Sequence, residues 1–261
     1  MCTIVVLNGV RADYPVVLAT NRDEFFARAS AGPMRILEVP RTVGGLDMVK
    51  RGTWMGVTKE GLFVAVTNQR TMQPPDPEKR SRGEVVIKAL KLNNRDAITR
   101  FLGELDGREF NSFNLMWGDA EQVFVAYARE GEPQIAIDQV PRGIHVLPND
   151  RLDHVDFPKV QRAKTLVEPY AHASFAALVA ALKKALADRT LPALDDVPML
   201  PVGAPISREL LRELSALCVR TPVYGTRSSS IVALARGRVG YYAYAEGPPD
   251  RAIFQDVLGL Y

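Results

Sequence analysis

Strand-like and helix-like stretches fall in blocks along this chain, and that grouping limits the fold more than any other feature. Short apolar, β-branched runs come first: TIVVL at 3–7, VVLAT at 16–20, TWMGVT at 53–58 and LFVAVT at 62–67. The last two are separated by Lys-Glu-Gly, a compact hairpin signal with glycine at its end. A helical block follows. Ser81 heads SRGEVVIKALKL with Glu84 three residues on, the pattern of a capping box, and RDAITRFLGEL covers 95–105. Strands resume at 113–118, 122–128, 134–138 and 143–148; helices then cover 158–171, 174–188 and 207–218, the last two capped by Ser174 and Ser207. Runs at 229–235 and 239–245 close the chain as strands. Strict alternation would predict a parallel sheet. Grouping predicts an α+β fold with two antiparallel sheets stacked face to face and helices outside. No stretch reads as a linker, so one domain over 1–261 is expected, with the proline-rich segment 192–205 as a surface excursion.

Composition narrows the function classes. Of 261 residues, 47% are hydrophobic and 24% charged, ordinary for a soluble globular chain. The net charge of +3 is scattered among 33 basic and 30 acidic residues, which gives no case for nucleic acid and leaves room for anionic ligands. The two cysteines, Cys2 and Cys218, form no disulfide framework and point to a reducing compartment. There is no signal-peptide pattern, no lipidation motif and no membrane span, which would need about 20 consecutive apolar residues. A cytoplasmic protein is expected.

Chemistry concentrates at the start. Removal of Met1 would leave Cys2 with a free α-amine beside its thiol. Their ordinary pKa values, about 8 and about 8.5, leave each partly in its useful form near neutrality. The amine can then act as base for the sulfur on the same residue, directly or through one water, without a histidine. His145, His154 and His172 lie in no catalytic motif and have no zinc spacing, and Asp119, Glu121 and Asp138 have no metal-ligand spacing. No metal or cofactor is expected. The segment LATNRDEFFAR at 18–28 places Asn21, Arg22, Asp23 and Glu24 at the end of an apolar strand, whose natural partner is the strand at 3–7. Pairing would bring them beside Cys2. A carboxylate there can hold the α-ammonium, and an arginine can lower the thiol pKa or bind an anionic group. The glycines of GGLDMVKRGTW at 44–54 suit a tight turn but lack a phosphate loop's Gly-Lys-Ser/Thr ending. Trp54 and Trp117 read as core or pocket wall, and Cys218 as a helix core residue.

MCTIVVL, TNRDEFFAR, GGLDMVKRGTWMGVTKEGLFVAVTNQR, SRGE, FNLMWGD, HVLPND and YGTRSSS occur in order from residue 1 to about 245. Together they resemble the NRDE family, also called the transport and Golgi organisation protein 2 family. That resemblance implies an N-terminal nucleophile (Ntn) hydrolase fold, a four-layer αββα sandwich. More distantly, the chain is similar to the bile salt hydrolase and penicillin V acylase group. The likeness implies a nucleophile at Cys2, a positioning carboxylate at Asp23, oxyanion donors at the Asn68 backbone and the Asn149 side chain, and a late arginine at Arg227. The arginine that opens that group's Arg-Asn-x-Asp pattern falls on Thr20, a departure that leaves Arg22 without an inherited role. Asn21, Arg22, Glu24 and Trp54 are the expected substrate contacts.

Two functions fit these readings. One is a cysteine amidohydrolase or acyltransferase that acts on a non-peptide C–N amide through a Cys2 thioester, with a small amide or acyl substrate. The other, implied by the family, is a carrier for haem or for lipid or acyl-CoA on the same scaffold, with Cys2 as a soft ligand for haem iron.

Overall fold

The computed structural model of the protein describes residues 2–71, 73–201 and 203–261. Met1, whose removal the amine-base chemistry of Cys2 requires, lies outside the described residues. The first strands are β1 (Thr3–Asn8), β2 (Val16–Phe25), β3 (Ser30–Leu37), β4 (Thr42–Asp47), β5 (Met55–Thr58) and β6 (Phe63–Asn68). Helices α1 (Arg82–Leu92) and α2 (Arg95–Gly103) follow. Next come β7 (Phe113–Gly118), β8 (Val123–Ala128), β9 (Ala136–Gln139) and β10 (Gly143–Leu147). Helices α3 (Pro158–Val167), α4 (Phe175–Leu186) and α5 (Arg208–Glu213) precede β11 (Tyr224–Ala235), β12 (Arg238–Glu246) and β13 (Gln255–Asp256).

The strands form two antiparallel sheets. One runs β10-β1-β2-β11-β12-β13, and the other is a meander from β3 to β9. Alternation along the strands sorts their side chains into layers. Ile4, Val6, Val16 and Leu18 point between the sheets and meet Met55, Phe63, Ala65 and Met116 of the second sheet. Their neighbours Val5, Leu7, Val17 and Ala19 point the other way and are covered by Val160, Ala163, Leu178 and Leu182 of α3 and α4. On the far side, Val64, Phe113, Leu115 and Trp117 are covered by α1 and α2. The result is the αββα sandwich. Both faces of the inner strands are dry, which is why TIVVL and VVLA read as continuous apolar runs rather than alternating ones.

Several local expectations change. β1 lies inside its sheet beside β2 as expected, and β2 pairs on its other side with β11 to form the centre of the sheet. β2 runs on through the polar tetrad to Phe25. The glycine pair at 44 and 45 is not a turn but part of β4: a Cβ on Gly44 would lie 2.4 Å from the Met55 carbonyl oxygen, and one on Gly45 would lie 2.1 Å from the Trp54 ring. Ser81 makes no side-chain cap, and Glu84 turns outward to Arg80 and Lys88. α5 stops at Glu213, so Cys218 is buried in the segment after it rather than in a helix. No helix among the described residues is long and apolar enough to cross a membrane.

Candidate active site

The site forms where the first residues of β1 meet the last residues of β2, at one end of the sandwich. Thr3 pairs with Asn21, so Cys2, one residue earlier, lies level with Arg22. By alternation Cys2 and Arg22 share the inter-sheet face, whereas Thr3, Asn21 and Asp23 share the helix-side face. A cavity of about 1000 Å³ opens over the inter-sheet side, and Cys2, Arg22, Asp23, Glu24, Trp54, Asn68 and Asn149 are among its lining residues.

Asn68 is the last residue of β6. The Val66 N–H donates to the Trp54 carbonyl (2.9 Å) and the Gln69 N–H to Ser112 (3.2 Å). Alternation therefore turns the Asn68 N–H and C=O toward the β5 side, just past the end of β5. The Asn149 side-chain amide donates to the Asn68 carbonyl at 2.6 Å, which fixes its nitrogen on that side. One N–H of Asn149 and the N–H of Asn68 are then neighbours at the same strand edge. Segment 148–150 is clamped there: the Pro148 carbonyl accepts from Thr67 (3.3 Å) and Asn114 (3.3 Å), and the Arg70 N–H donates to the Asn149 carbonyl (2.7 Å).

Asp23 is 2% exposed, and its carboxylate accepts a 2.6 Å bond from the Thr226 hydroxyl of β11. Burial pushes its pKa up, opposed first by the N-terminal ammonium and then by the charge of Lys159, the Thr226 bond and the charge of Arg22. Burial likewise raises the Cys2 thiol; the N-terminal ammonium works against this, the Asp23 charge adds to it, and Arg22 opposes it weakly. The Arg22 guanidinium stacks 4.2 Å from the Trp54 ring centroid and donates to Ser30 Oγ at 3.3 Å. Glu24 lies 3.7 Å from Arg28, which is bound at 2.6 Å to Asp47.

Two expected site residues point elsewhere. The Asn21 amide donates to the Leu186 (2.9 Å) and Leu217 (2.8 Å) carbonyls and accepts from Ser229 (2.6 Å), so it ties β2 to the helical layer. Arg227 does not line the cavity. The β2–β11 register shifts between Thr226 and Ser228, and this bulge turns Arg227 toward the 25–28 turn, where it donates to the Phe25, Phe26 and Arg28 carbonyls at 3.1, 2.8 and 3.2 Å. Its guanidinium is bound to this turn and not to the cavity that Cys2 lines.

The chain matches the family Transport and Golgi organisation 2 over residues 1–245. It belongs to that family. Among its relatives, the Transport and Golgi organization protein 2 homolog of Homo sapiens is 29% identical over 247 residues, which cover 87% of this chain and 85% of the relative. The homolog of Bos taurus is 31% identical over 243 residues with the same shares. The Drosophila melanogaster protein is 25% identical over 238 residues, covering 84% and 81%. Among solved structures, a mutant of conjugated bile acid hydrolase from Clostridium perfringens superposes with a TM-score of 0.55 at 11% identity, covering 98% of this chain and 92% of that one. At that identity the likeness is one of fold, the Ntn-hydrolase sandwich.

Lys159, Arg82 and Arg70 lie at or beside the site and are not among the expected site residues. Lys159, the second residue of α3, is 2% exposed, and burial brings its pKa down to about 8. Arg82, the second residue of the SRGE motif, lines the cavity and feels the charges of Glu24 and Cys2. Arg70 lines it too, stacked 4.3 Å from the Phe157 ring centroid, and burial brings its pKa down to about 10. The sequence carried a signal for Lys159: it stands four residues before Ala163 and eight before Val167, on the buried stripe of α3. For Arg82 the quoted motif itself was the signal. Among the described residues, no group of three or more His, Cys, Asp or Glu could hold a metal ion.

Proposed function

We propose that the protein is an Ntn-type cysteine amidohydrolase or acyltransferase that acts on non-peptide C–N amides, with Cys2 as nucleophile once Met1 is removed. The observation that carries this reading is convergence. Cys2, Asp23, the Asn68 N–H and the Asn149 amide come from four segments far apart in sequence and meet at one cavity. In the proposed reaction the Cys2 sulfur attacks the amide carbon and its proton passes to the α-amine. The carbonyl electrons move onto oxygen, where the Asn68 N–H and the free Asn149 N–H meet the charge; one such donor is worth about 3–4 kcal/mol in the transition state. Collapse expels the amine, which takes the proton from the α-ammonium and leaves a thioester. Water or another acceptor then attacks the thioester, giving up its proton to the α-amine. The sulfur leaves as thiolate and is reprotonated by the α-ammonium. Asp23 holds that ammonium in place.

The cavity lining supports an acyl substrate. Its rim carries the exposed side chains of Phe25 and Val223, and deeper in it carries Arg22, Arg70 and Arg82. Such a lining suits an acyl chain joined to a polar or anionic head. The carrier reading, for haem or for lipid or acyl-CoA, draws on the cavity's size. Burial raises the Cys2 thiol, which disfavours a resting thiolate ligand for haem iron, whereas in the hydrolase reading the α-amine takes the proton during the attack.

The test compares processed protein with protein that retains Met1, and with Cys2→Ala, against amides of graded acyl length. The expected result is turnover by the processed form alone, with a Cys2→Ala loss on the order of 10⁶-fold. Equal activity in all three would remove Cys2 from the mechanism.

A further inference from the structure

Directly behind Cys2, on the side of the sheet away from the cavity, the protein buries a lysine. Lys159 enters α3 immediately after Pro158 and points at the first residues of β1, its ammonium 3.5 Å from Thr3 Oγ1. Thr3 pairs with Asn21, so this ammonium sits on the face that also holds Asp23. A buried charge is costly unless it is answered by an opposite one. The surrounding charges are few. Lys159 faces Asp23 from β2, Cys2 from the start of β1 and Arg70 from the segment after β6. Asp23 faces the N-terminal ammonium, which acts on it most strongly, then Lys159 from α3, Arg22 from its own strand, Cys2 beside it, and Cys218 from the segment before β11. Asp23 is the strongest charge acting on Lys159.

We propose that Lys159 is a positioning residue for the Cys2–Asp23 pair, a buried counter-charge behind the sheet that keeps the Asp23 carboxylate ionised so that it can hold the Cys2 amine. It touches neither cavity nor substrate. This assignment rests on the proposed function for its catalytic meaning, but the charge coupling does not depend on turnover. Without the Lys159 ammonium, the N-terminal ammonium, Thr226 and Arg22 would still favour ionisation of Asp23, but one of the two cations that oppose its burial most would be gone, and the carboxylate would take up a proton at a higher pH. Its hold on the amine would then weaken at a higher pH as well. Arginine at 159 keeps the charge; methionine keeps most of the length and the apolar contacts.

The test is a pH titration of Asp23 by ¹³C NMR in protein labelled at the aspartate carboxyl carbons, with the Asp23 signal identified by its loss in Asp23→Asn. In Lys159→Met the Asp23 pKa should rise by about one unit, a tenfold gain in proton affinity, and Lys159→Arg should restore it. If Lys159→Met does not fold, the coupling is read from the other side. In Asp23→Asn the Lys159 pKa, followed by the ¹³Cε signal, should fall by a similar amount, because coupling between two sites is reciprocal. An Asp23 pKa unchanged in folded Lys159→Met, or a Lys159 pKa unchanged in Asp23→Asn, overturns the proposal. Turnover is scored separately. Coupled titrations without a Cys2-dependent reaction would keep the charge pair and defeat the hydrolase reading, whereas a Cys2-dependent reaction with uncoupled titrations would do the reverse.

Discussion

Strand β2 has two halves that are equally buried and chemically opposite. Val16, Val17, Leu18 and Ala19 are 0–1% exposed, and Thr20, Asn21, Arg22 and Asp23 are 1–8% exposed. The first half needs no explanation beyond apolar transfer, which stabilises a fully buried aliphatic side chain by about 1.5–3 kcal/mol. The second half gains nothing of the kind, and each of its polar groups must be satisfied individually. Asn21 spends its amide on two carbonyls of the helical layer, Arg22 lies on Trp54 with Ser30 at its end, and Asp23 takes the Thr226 hydroxyl. A structural strand end could have been made of valines. The polar half is the part of β2 that stability does not ask for, and it is the part beside Cys2.

The comparison can be broken by showing that the two halves respond alike. The largest expected contrast comes from Asn149→Ala, which removes a donor at the polar end. Turnover should fall about 10²–10³-fold with little change in melting temperature, measured by steady-state kinetics beside thermal unfolding. A comparable drop in stability would make Asn149 a structural clamp. Leu18→Ala, in the apolar half, should do the opposite. It opens a cavity between the sheets and costs about 3 kcal/mol in denaturant unfolding, while kcat of the remaining folded protein stays near that of the parent.

The smallest effect sharpens the polar half. The Lys159 pKa in the folded protein is about 8, below its unfolded value of about 10.4. Between those values the unfolded chain binds more protons, so stability rises with pH across the window, and below pH 8 the cost of the buried charge is fully present. Unfolding free energies from pH 8 to pH 10 should show this rise, on the order of 1–3 kcal/mol, in the parent and not in Lys159→Met. Parallel slopes would mean that Lys159 is solvated in the folded state.

The layers of the fold were legible because the strands that form them are apolar on both faces; TIVVL and VVLA could hardly be anything else. β3 and β4 were not. The glycine pair of TVGGLD reads as turn, and only the Met55 carbonyl against Gly44 and the Trp54 ring against Gly45 explain why glycine is needed in a strand there. The candidate site divided in the same way. Cys2, Asp23, Asn68 and Asn149 lie on strand ends or a clamped segment, and the structure brings them to one cavity. Arg227 sits at a bulge, and a one-residue shift sends a side chain to the other side. Lys159 went unread because a lone lysine in an amphipathic helix ordinarily faces water.

The central claim is that the Cys2 sulfur becomes acylated. The direct measurement is intact and peptide mass spectrometry of processed protein quenched during reaction with p-nitrophenyl esters and acyl thioesters of graded chain length. The account predicts a single acyl adduct on residue 2, absent from Cys2→Ala, with Cys218 unmodified because burial raises its thiol to about 11. An adduct on Cys218, or turnover without any adduct and undiminished in Cys2→Ala, would contradict it.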